Sequence, residues 1–145
     1  MMVPEEISAM PIMRRLVDKN TGAKGEKMKL AIIEISKCKV IKPSGRIDWE
    51  NARRLDKEIQ NIINEGYCRI AFNLDDVTFI CSGGIGALVY NLNKVKKMGG
   101  AIYIISSNEY INYIFETLKF DLVFEGYQYK SFEEFASNVL EKEYI

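Results

Sequence analysis

The chain has 145 residues, enough for one domain with a sizeable core, and its 48% apolar and 28% charged residues are typical of a folded protein. Lys plus Arg and Asp plus Glu both number 20, so the formal net charge is zero and gives no general attraction for nucleic acid or an anionic membrane. Histidine is absent and no apolar run reaches the roughly 18 residues that cross a bilayer, so we expect neither catalysis by a Ser-His or Cys-His pair, nor a histidine-ligated metal, nor a membrane span.

The cysteines and the N-terminal stretch indicate a cytoplasmic protein. Cys38, Cys68 and Cys81 form no Cys-x-x-Cys pair, which favours reduced thiols over a disulfide or zinc framework. Arg14 and Arg15 interrupt the only apolar segment near the N-terminus, so the pattern of a signal peptide is missing.

A polar, glycine-containing run over residues 18–27 precedes the regular part of the chain. We expect residues 1–28 to form an extension or linker and residues 29–145 to form the domain. Met28 is an alternative start of translation, and residues 1–27 would then be absent from the protein.

Two strands and a helix are predicted next. Leu30–Ile35 and Cys38–Ile41 are rich in β-branched residues and are joined by a two-residue break, which favours a hairpin. Asp48 is a good N-cap for the helix that follows and that ends at Gly66. Apolar residues recur along this helix at helical spacing: Trp49, Ala52, Leu55, Ile59, Ile62 and Ile63.

The middle of the chain alternates strand and helix. Arg69–Leu74 has apolar residues at every second position, and a second apolar run covers residues 77–80. A helix stopped by Gly99 and a strand over Ala101–Ile105 follow. The apolar stripe of this helix consists of Ile85, Leu88, Val89, Leu92 and Val95.

The last elements complete an α/β pattern. A third helix carries Ile111, Ile114, Phe115 and Leu118, and a short final strand is predicted over Leu122–Phe124. A fourth helix from Phe132 to Leu140 begins at Ser131, with Glu134 placed for a capping box. We therefore predict a mixed β-sheet of about five strands with four helices packed mainly on one side.

The turn after residue 80 is the most informative part of the sequence. One serine, Ser82, is followed by Gly83, Gly84 and Gly86, and the helical pattern then begins. We expect Ser82 to be the N-cap, with its oxygen accepting an amide of the first turn. The turn has no Gly-Lys-Ser/Thr ending and no Gly-x-Gly-x-x-Gly spacing, so it is neither a P-loop nor a dinucleotide fingerprint. A cysteine-phosphatase loop would need an arginine where Ala87 stands.

Residues 29–140 resemble a STAS domain, the family of bacterial anti-sigma factor antagonists. The resemblance is carried by the Gly-x-Ile-Asp segment ending at Asp48, the Asn-Leu-Asp strand end at Asp75 and the Ser-Gly-Gly-Ile-Gly turn. In the family this turn usually has the sequence Asp-Ser/Thr-Ser-Gly-Leu-Gly, and its first hydroxyl residue is the phosphorylation site. Ser82 occupies that position, whereas Cys81 replaces the acid and Gly83 replaces the second serine.

The resemblance implies a regulatory protein and not an enzyme. The unphosphorylated form would bind an anti-sigma factor with serine kinase activity and free a sigma factor. Phosphorylation at Ser82 would end that interaction, and a PP2C-type phosphatase would restore it. ATP belongs to the kinase, so no cofactor or metal is expected here. The implied partner-binding residues are Asp48, Cys81, Ser82, Gly83, Gly84 and Ile85.

Several alternatives remain. The protein could be a STAS interaction or ligand-binding module that is never phosphorylated, such as a scaffold, a sensor or a subunit of a transport complex. Asp48 could be only an N-cap, and Cys81 could be a small hydrophobe, a redox-sensitive thiol or a partner contact. Asp75 and Asp76 are expected to form a polar turn and not an acid–base pair.

Overall fold

A single mixed sheet organises the residues that the computed structural model describes, which are 17–18 and 28–141. The strands follow the order β1-β2-β3-β4-β6-β7, with β5 pairing to β3 beyond the end of β4. The first three strands are antiparallel and the other pairings are parallel. The strands are β1 Val17–Asp18, β2 Met28–Ile35, β3 Cys38–Ile47, β4 Arg69–Asn73, β5 Val77–Ile80, β6 Ala101–Ile105 and β7 Gln128–Tyr129.

Helices connect the parallel strands, because a parallel connection needs a crossover of helical length. The helices are α1 Trp49–Asn64, α2 Ser82–Lys96, α3 Glu109–Thr117, α4 Phe120–Val123 and α5 Phe132–Phe135, the last continuing as a π-helical turn over Ala136–Leu140. No helix in the part of the chain that the structure describes is long and apolar enough to cross a membrane.

Alternation along the strands divides the core into two layers. Ile70 and Phe72 face α1 and α2, whereas Ala71 between them faces the C-terminal helix. The layer beneath α1 and α2 also receives α3 and α4, and the opposite layer is closed by Phe135 and the π-helical turn. The predicted fold class, a mixed sheet with helices mainly on one side, is confirmed, and the described residues form seven strands and five α-helices where about five strands and four helices were predicted.

Local signals also proved correct at both ends of the domain. Ser36 and Lys37 form the two-residue hairpin turn with φ of 52° and 67°, a conformation that matches the twist of paired strands. Ser131 Oγ accepts the amide of Glu134 at 3.1 Å. The Glu134 carboxylate completes this cap by accepting the amide of Lys130 at 2.7 Å.

Two predictions of detail were wrong. Leu122–Phe124 is not a strand: α4 occupies this stretch, and the last strand is β7, which is too short to show alternation. The second strand does not stop at Ile41 but runs to Ile47 through Pro43, which lies between the stretches paired with β4 and with β5. Most of the predicted extension, residues 1–28, lies outside the described residues. Its described residues are β1, which pairs with β2, and Met28, which is the first residue of β2.

Candidate functional site

The candidate site is the edge of the sheet where α1 and α2 both begin. β3 and β5 run parallel, with Ile47 opposite Ile80, and a helix begins two residues after each of them. The amide of Cys81 donates to the carbonyl of Ile47 at 2.9 Å and fixes the two chain segments together. The structure therefore brings Asp48 beside the Cys81–Ser82 turn, although they are far apart in sequence.

Ser82 is the first residue of α2 and not its N-cap. Cys81 has the extended backbone of an N-cap, with φ of −88° and ψ of 170°, and its side chain makes no capping hydrogen bond. The amides of Gly84 and Ile85 donate instead to the Cys81 carbonyl, at 3.0 and 3.2 Å. The Ser82 side chain is exposed and has no hydrogen-bond partner among the described residues. The prediction of its capping role was wrong, and its hydroxyl is available to an incoming group.

The glycines of this turn have different environments. A Cβ at Gly84 would lie 2.9 Å from side-chain carbons of both Ile47 and Ile80, so only glycine lets α2 approach the sheet this closely. Gly83 and Gly86 are exposed, and a Cβ at Gly86 would meet nothing within 4 Å. None of the three has a positive φ, so close packing and an open surface account for them without special backbone geometry.

Two of the predicted partner contacts lie in the core. Ile85 is 1% exposed and Gly84 is buried, because both face the sheet from the first turn of α2. Their side chains are therefore covered in this structure, and their contact with a partner stays a prediction. The accessible surface of the turn consists of Ser82, Gly83 and the half-buried Cys81.

Asp48 caps α1, as predicted. Its carboxylate accepts the amide of Asn51 at 2.9 Å, and the Asn51 side-chain amide donates to the carbonyl of Arg46 at 2.8 Å. The Arg46 guanidinium in turn lies over the Phe79 ring, 4.3 Å from its centroid. These contacts connect the start of α1 to β5, which leads into the serine turn.

The support that Tyr110 gives to the turn is not evident from the sequence. The hydroxyl of this α3 residue accepts the amide of Ile80 at 3.1 Å. Ile80 immediately precedes the N-cap of α2, so α3 stabilises the strand end from which the serine is presented. No local pattern signals this contact, because the two residues are separated by a strand and a helix.

The outer face of α1 and α2 carries two exposed aromatic residues. Trp49 belongs to the apolar pattern predicted for α1 but is 66% exposed, and Tyr90 on α2 is 61% exposed. They line a groove between the two helices that begins beside Gly83. The i, i+3 spacing from Trp49 to Ala52 fits a core stripe, yet Ala52 is buried and Trp49 is exposed.

The paired carboxylates form a polar turn, as expected. Asp75 Oδ1 accepts both the amide and the hydroxyl of Ser107, at 2.7 and 3.1 Å, and Asp76 lies 3.4 Å from the ammonium of Lys42. Within the described part of the chain, no three Cys, Asp or Glu side chains are grouped so that they could hold a metal ion.

The three thiols are free and differ in burial. Cys38 is fully buried in the layer under the C-terminal helix, and burial raises the pKa of its thiol to about 12. Cys68 and Cys81 are half-buried. The sulfur of Cys81 lies next to the serine turn, where a Cβ on Gly83 would be 3.6 Å away.

The fold and this turn define a small mixed α/β domain that exposes one serine at the start of a helix, beside the start of a second helix. The family model of the STAS domain matches residues 29–137, and the chain belongs to that family. A Thermotoga neapolitana protein described as an anti-sigma factor antagonist homolog is 28% identical over 89 residues, which are 61% of this chain and 79% of that protein.

Solved structures agree with the fold. The crystal structure of an anti-sigma factor antagonist from Mycobacterium paratuberculosis is similar with a TM-score of 0.69, at 19% identity over 77% of this chain and 93% of that chain. The Bacillus anti-sigma factor antagonist SpoIIAA in its unphosphorylated form is similar with a TM-score of 0.61, at 17% identity over 77% of this chain and 97% of that chain.

Proposed function

We propose that this protein is an anti-sigma factor antagonist controlled at Ser82. Its unphosphorylated form binds an anti-sigma factor with serine kinase activity in the cytoplasm, and this binding frees a sigma factor for transcription. The observation that carries the proposal is the exposed Ser82 hydroxyl at the first position of α2 in a chain of the STAS family. SpoIIAA, which has the same fold, has been solved in both an unphosphorylated and a phosphorylated form.

In this proposal, phosphorylation adds negative charge at Ser82 without unfolding the domain. The Ser82 oxygen attacks the γ-phosphorus of the ATP held by the kinase, ADP leaves, and the hydroxyl proton passes to a base of the kinase. The phosphate adds a charge of about −1.5 to −2 beside the free amides and positive dipole end of α2. The domain therefore stays folded while a partner covering Ser82 and Asp48 is displaced. Hydrolysis by a PP2C-type phosphatase restores the serine.

Affinity capture tests the proposal. Wild-type, Ser82→Ala and Ser82→Asp baits are incubated with lysate of the source cell, and Asn93→Asp, which adds the same charge at an exposed position of α2, is the matched control. We expect wild type, Ser82→Ala and Asn93→Asp to retain a kinase-type anti-sigma factor that Ser82→Asp loses. Mass spectrometry of the wild-type bait should show a phosphate on Ser82.

A stability measurement must accompany the capture. We expect Ser82→Asp to be as stable as wild type or more stable by about 0.3–1 kcal/mol, because a carboxylate in the first turn favours the helix dipole. Urea unfolding followed by circular dichroism measures this difference. The same partners on all four baits, with no phosphate on Ser82, would contradict the switch. That result would favour a STAS interaction module that is never phosphorylated. The replacements at Cys81 and Gly83 are the features of this chain that would account for it.

A further inference from the structure

A cavity of about 280 Å³ lies at the carboxyl ends of β6 and β7, and no residue of the serine turn lines it. The two strands are parallel neighbours, and the amide of Ser106, just after β6, donates to the carbonyl of Tyr129 at 2.9 Å. These strand ends form one part of the lining of this β6–β7 cavity. Side chains of α3 and α4 form another part: Asn112, Glu116 and Asp121.

The β6–β7 cavity lies at a position where open α/β sheets bind ligands. After β6 the chain passes to the layer beneath α1 and α2, where Ile111 and Phe115 of α3 are packed. After β7 it passes to the opposite layer, where Phe135 of α5 is packed. Neighbouring parallel strands whose connections leave toward opposite faces of the sheet open a crevice at their carboxyl ends, and ligands bind in such crevices. The topology therefore indicates a ligand site here.

The charged side chains of the lining lack protein partners. Glu116 and Asp121 supply two carboxylates, and Lys130, which follows β7, supplies one ammonium. None of these three side chains forms an ion pair in the part of the chain that the structure describes. The Oδ1 atom of Asp121 is buried and accepts no hydrogen bond from a described residue. A buried acceptor without a donor costs free energy, and a ligand that donates to this oxygen would remove the cost.

We propose that the β6–β7 cavity binds a basic α-amino acid. Such a molecule carries two cationic groups and one carboxylate, which match the two carboxylates and the one ammonium of the lining. One cationic group donates to Asp121 Oδ1, the other lies against Glu116, and the carboxylate pairs with Lys130. The side-chain amide of Gln128, which also lines the cavity, is available for a further hydrogen bond.

The size and charge of the cavity argue against other ligand classes. Its 280 Å³ falls just below the roughly 300–1,000 Å³ of sites for drug-sized ligands, so a single amino acid suits it. An inorganic anion would face two carboxylates, and a diamine would leave Lys130 without an anionic partner. A metal ion would lack a third anionic ligand, because the described residues group no three such side chains.

Titration of the full chain with three matched amines provides the direct test. L-lysine has both cationic groups and the carboxylate, cadaverine lacks the carboxylate, and ε-aminocaproate lacks the α-amine. Binding is followed by the amide chemical shifts of the protein. We expect L-lysine to bind with a Kd of about 1 mM or below and at least about tenfold more tightly than either match. The shifts should centre on Ser106, Asp121 and Gln128.

Four variants localise the site, and thermal unfolding of each shows that it is folded. Asp121→Asn keeps the shape of the side chain, removes its charge and should weaken L-lysine binding at least about tenfold. Glu116→Gln makes the same change at an exposed position of α3 and should also weaken binding. Glu125→Gln removes an exposed acid that is not part of the lining and should leave binding unchanged. Lys130→Gln should bind L-lysine no more tightly than cadaverine, because the ligand carboxylate loses its partner.

Several results would overturn the proposal. No saturable binding of L-lysine, L-ornithine or L-arginine would show that the cavity does not take this class of ligand. Equal affinity of wild type for L-lysine and cadaverine would show that the carboxylate is not recognised. Equal weakening by Asp121→Asn and Glu125→Gln would show only a general attraction for cations. The capture experiment at Ser82 is decided separately, because none of the four variants alters the serine turn.

Discussion

At the scale of single residues, Gly84 sets how closely α2 approaches the sheet, and Gly86 one half-turn later does not. Gly84→Ala should destabilise the protein by about 1–3 kcal/mol, because its Cβ would press on Ile47 and Ile80 at 2.9 Å. Gly86→Ala should stabilise it by about 0.4–1 kcal/mol, since the new methyl meets open space and alanine favours the helix. Urea unfolding of the two variants measures these shifts, and shifts of the same sign would contradict this account of the turn.

Tyr110 acts through one oxygen atom. Tyr110→Phe keeps the ring but removes the acceptor of the Ile80 amide, so we expect a loss of about 1–3 kcal/mol in the free energy of unfolding and faster hydrogen exchange at Ile80. Tyr113→Phe removes a hydroxyl from a ring that is 65% exposed and should change stability by less than about 0.5 kcal/mol. An Ile80 amide that remains protected in Tyr110→Phe would show that the hydroxyl does not hold the strand end.

At the scale of elements, a buried amide joins α1 to α2. Asn91 is fully buried; its side-chain amide donates to Asp56 at 2.8 Å and to the carbonyl of Ala87 at 2.7 Å, and its oxygen accepts from Gln60 at 2.6 Å. Asn91→Ala should cost about 1–3 kcal/mol, because polar groups of α1 lose their partner inside the helix pair. Asn93→Ala, at an exposed position of the same helix, is the control for helix propensity. Chemical denaturation measures both, and equal stability of the two variants would show that the bridge contributes nothing.

The elements also show what the sequence could and could not predict. The helix α1 was predictable because its apolar spacing repeats over several turns, and the short strand β4 because its apolar residues alternate. β7 has two residues and no period, so its strand character comes from pairing with β6 and not from its own sequence. Trp49 fits the apolar spacing of α1 but is exposed, because helical spacing defines a stripe and not how much of that stripe is covered. The serine turn was located correctly, whereas its cap was not, because the N-cap is decided by the backbone of Cys81 and not by the side chain best suited to cap.

At the scale of the whole molecule, the two core layers are separated by the sheet, and the layer under the C-terminal helix contains a thiol that ionises less readily when buried. Burial raises the pKa of the Cys38 thiol from its ordinary value near 9 to about 12. Below pH 9 the thiol is protonated in both the folded and the unfolded chain, and its contribution to stability is fully present. Between pH 9 and 12 the unfolded chain releases a proton that the folded chain retains, so stability falls as the pH rises.

This linkage predicts that alkali unfolds the protein partly through Cys38. Between pH 8 and pH 10.5 wild type should lose about 2 kcal/mol that a Cys38→Ala variant does not lose, at about 1.4 kcal/mol per pH unit above the unfolded pKa. The other ionisable groups are present in both proteins, and among them burial and then its neighbours, Cys38 included, raise the pKa of Tyr103, so this hydroxyl responds to the substitution as well. Urea unfolding of wild type, Cys38→Ala and Cys81→Ala at the two pH values measures the difference, with Cys81→Ala as the control for loss of a half-buried thiol. If the stability gap between wild type and Cys38→Ala is the same at both pH values, the Cys38 thiol ionises as easily in the folded chain as in the unfolded one, and the layer under the C-terminal helix is open to water.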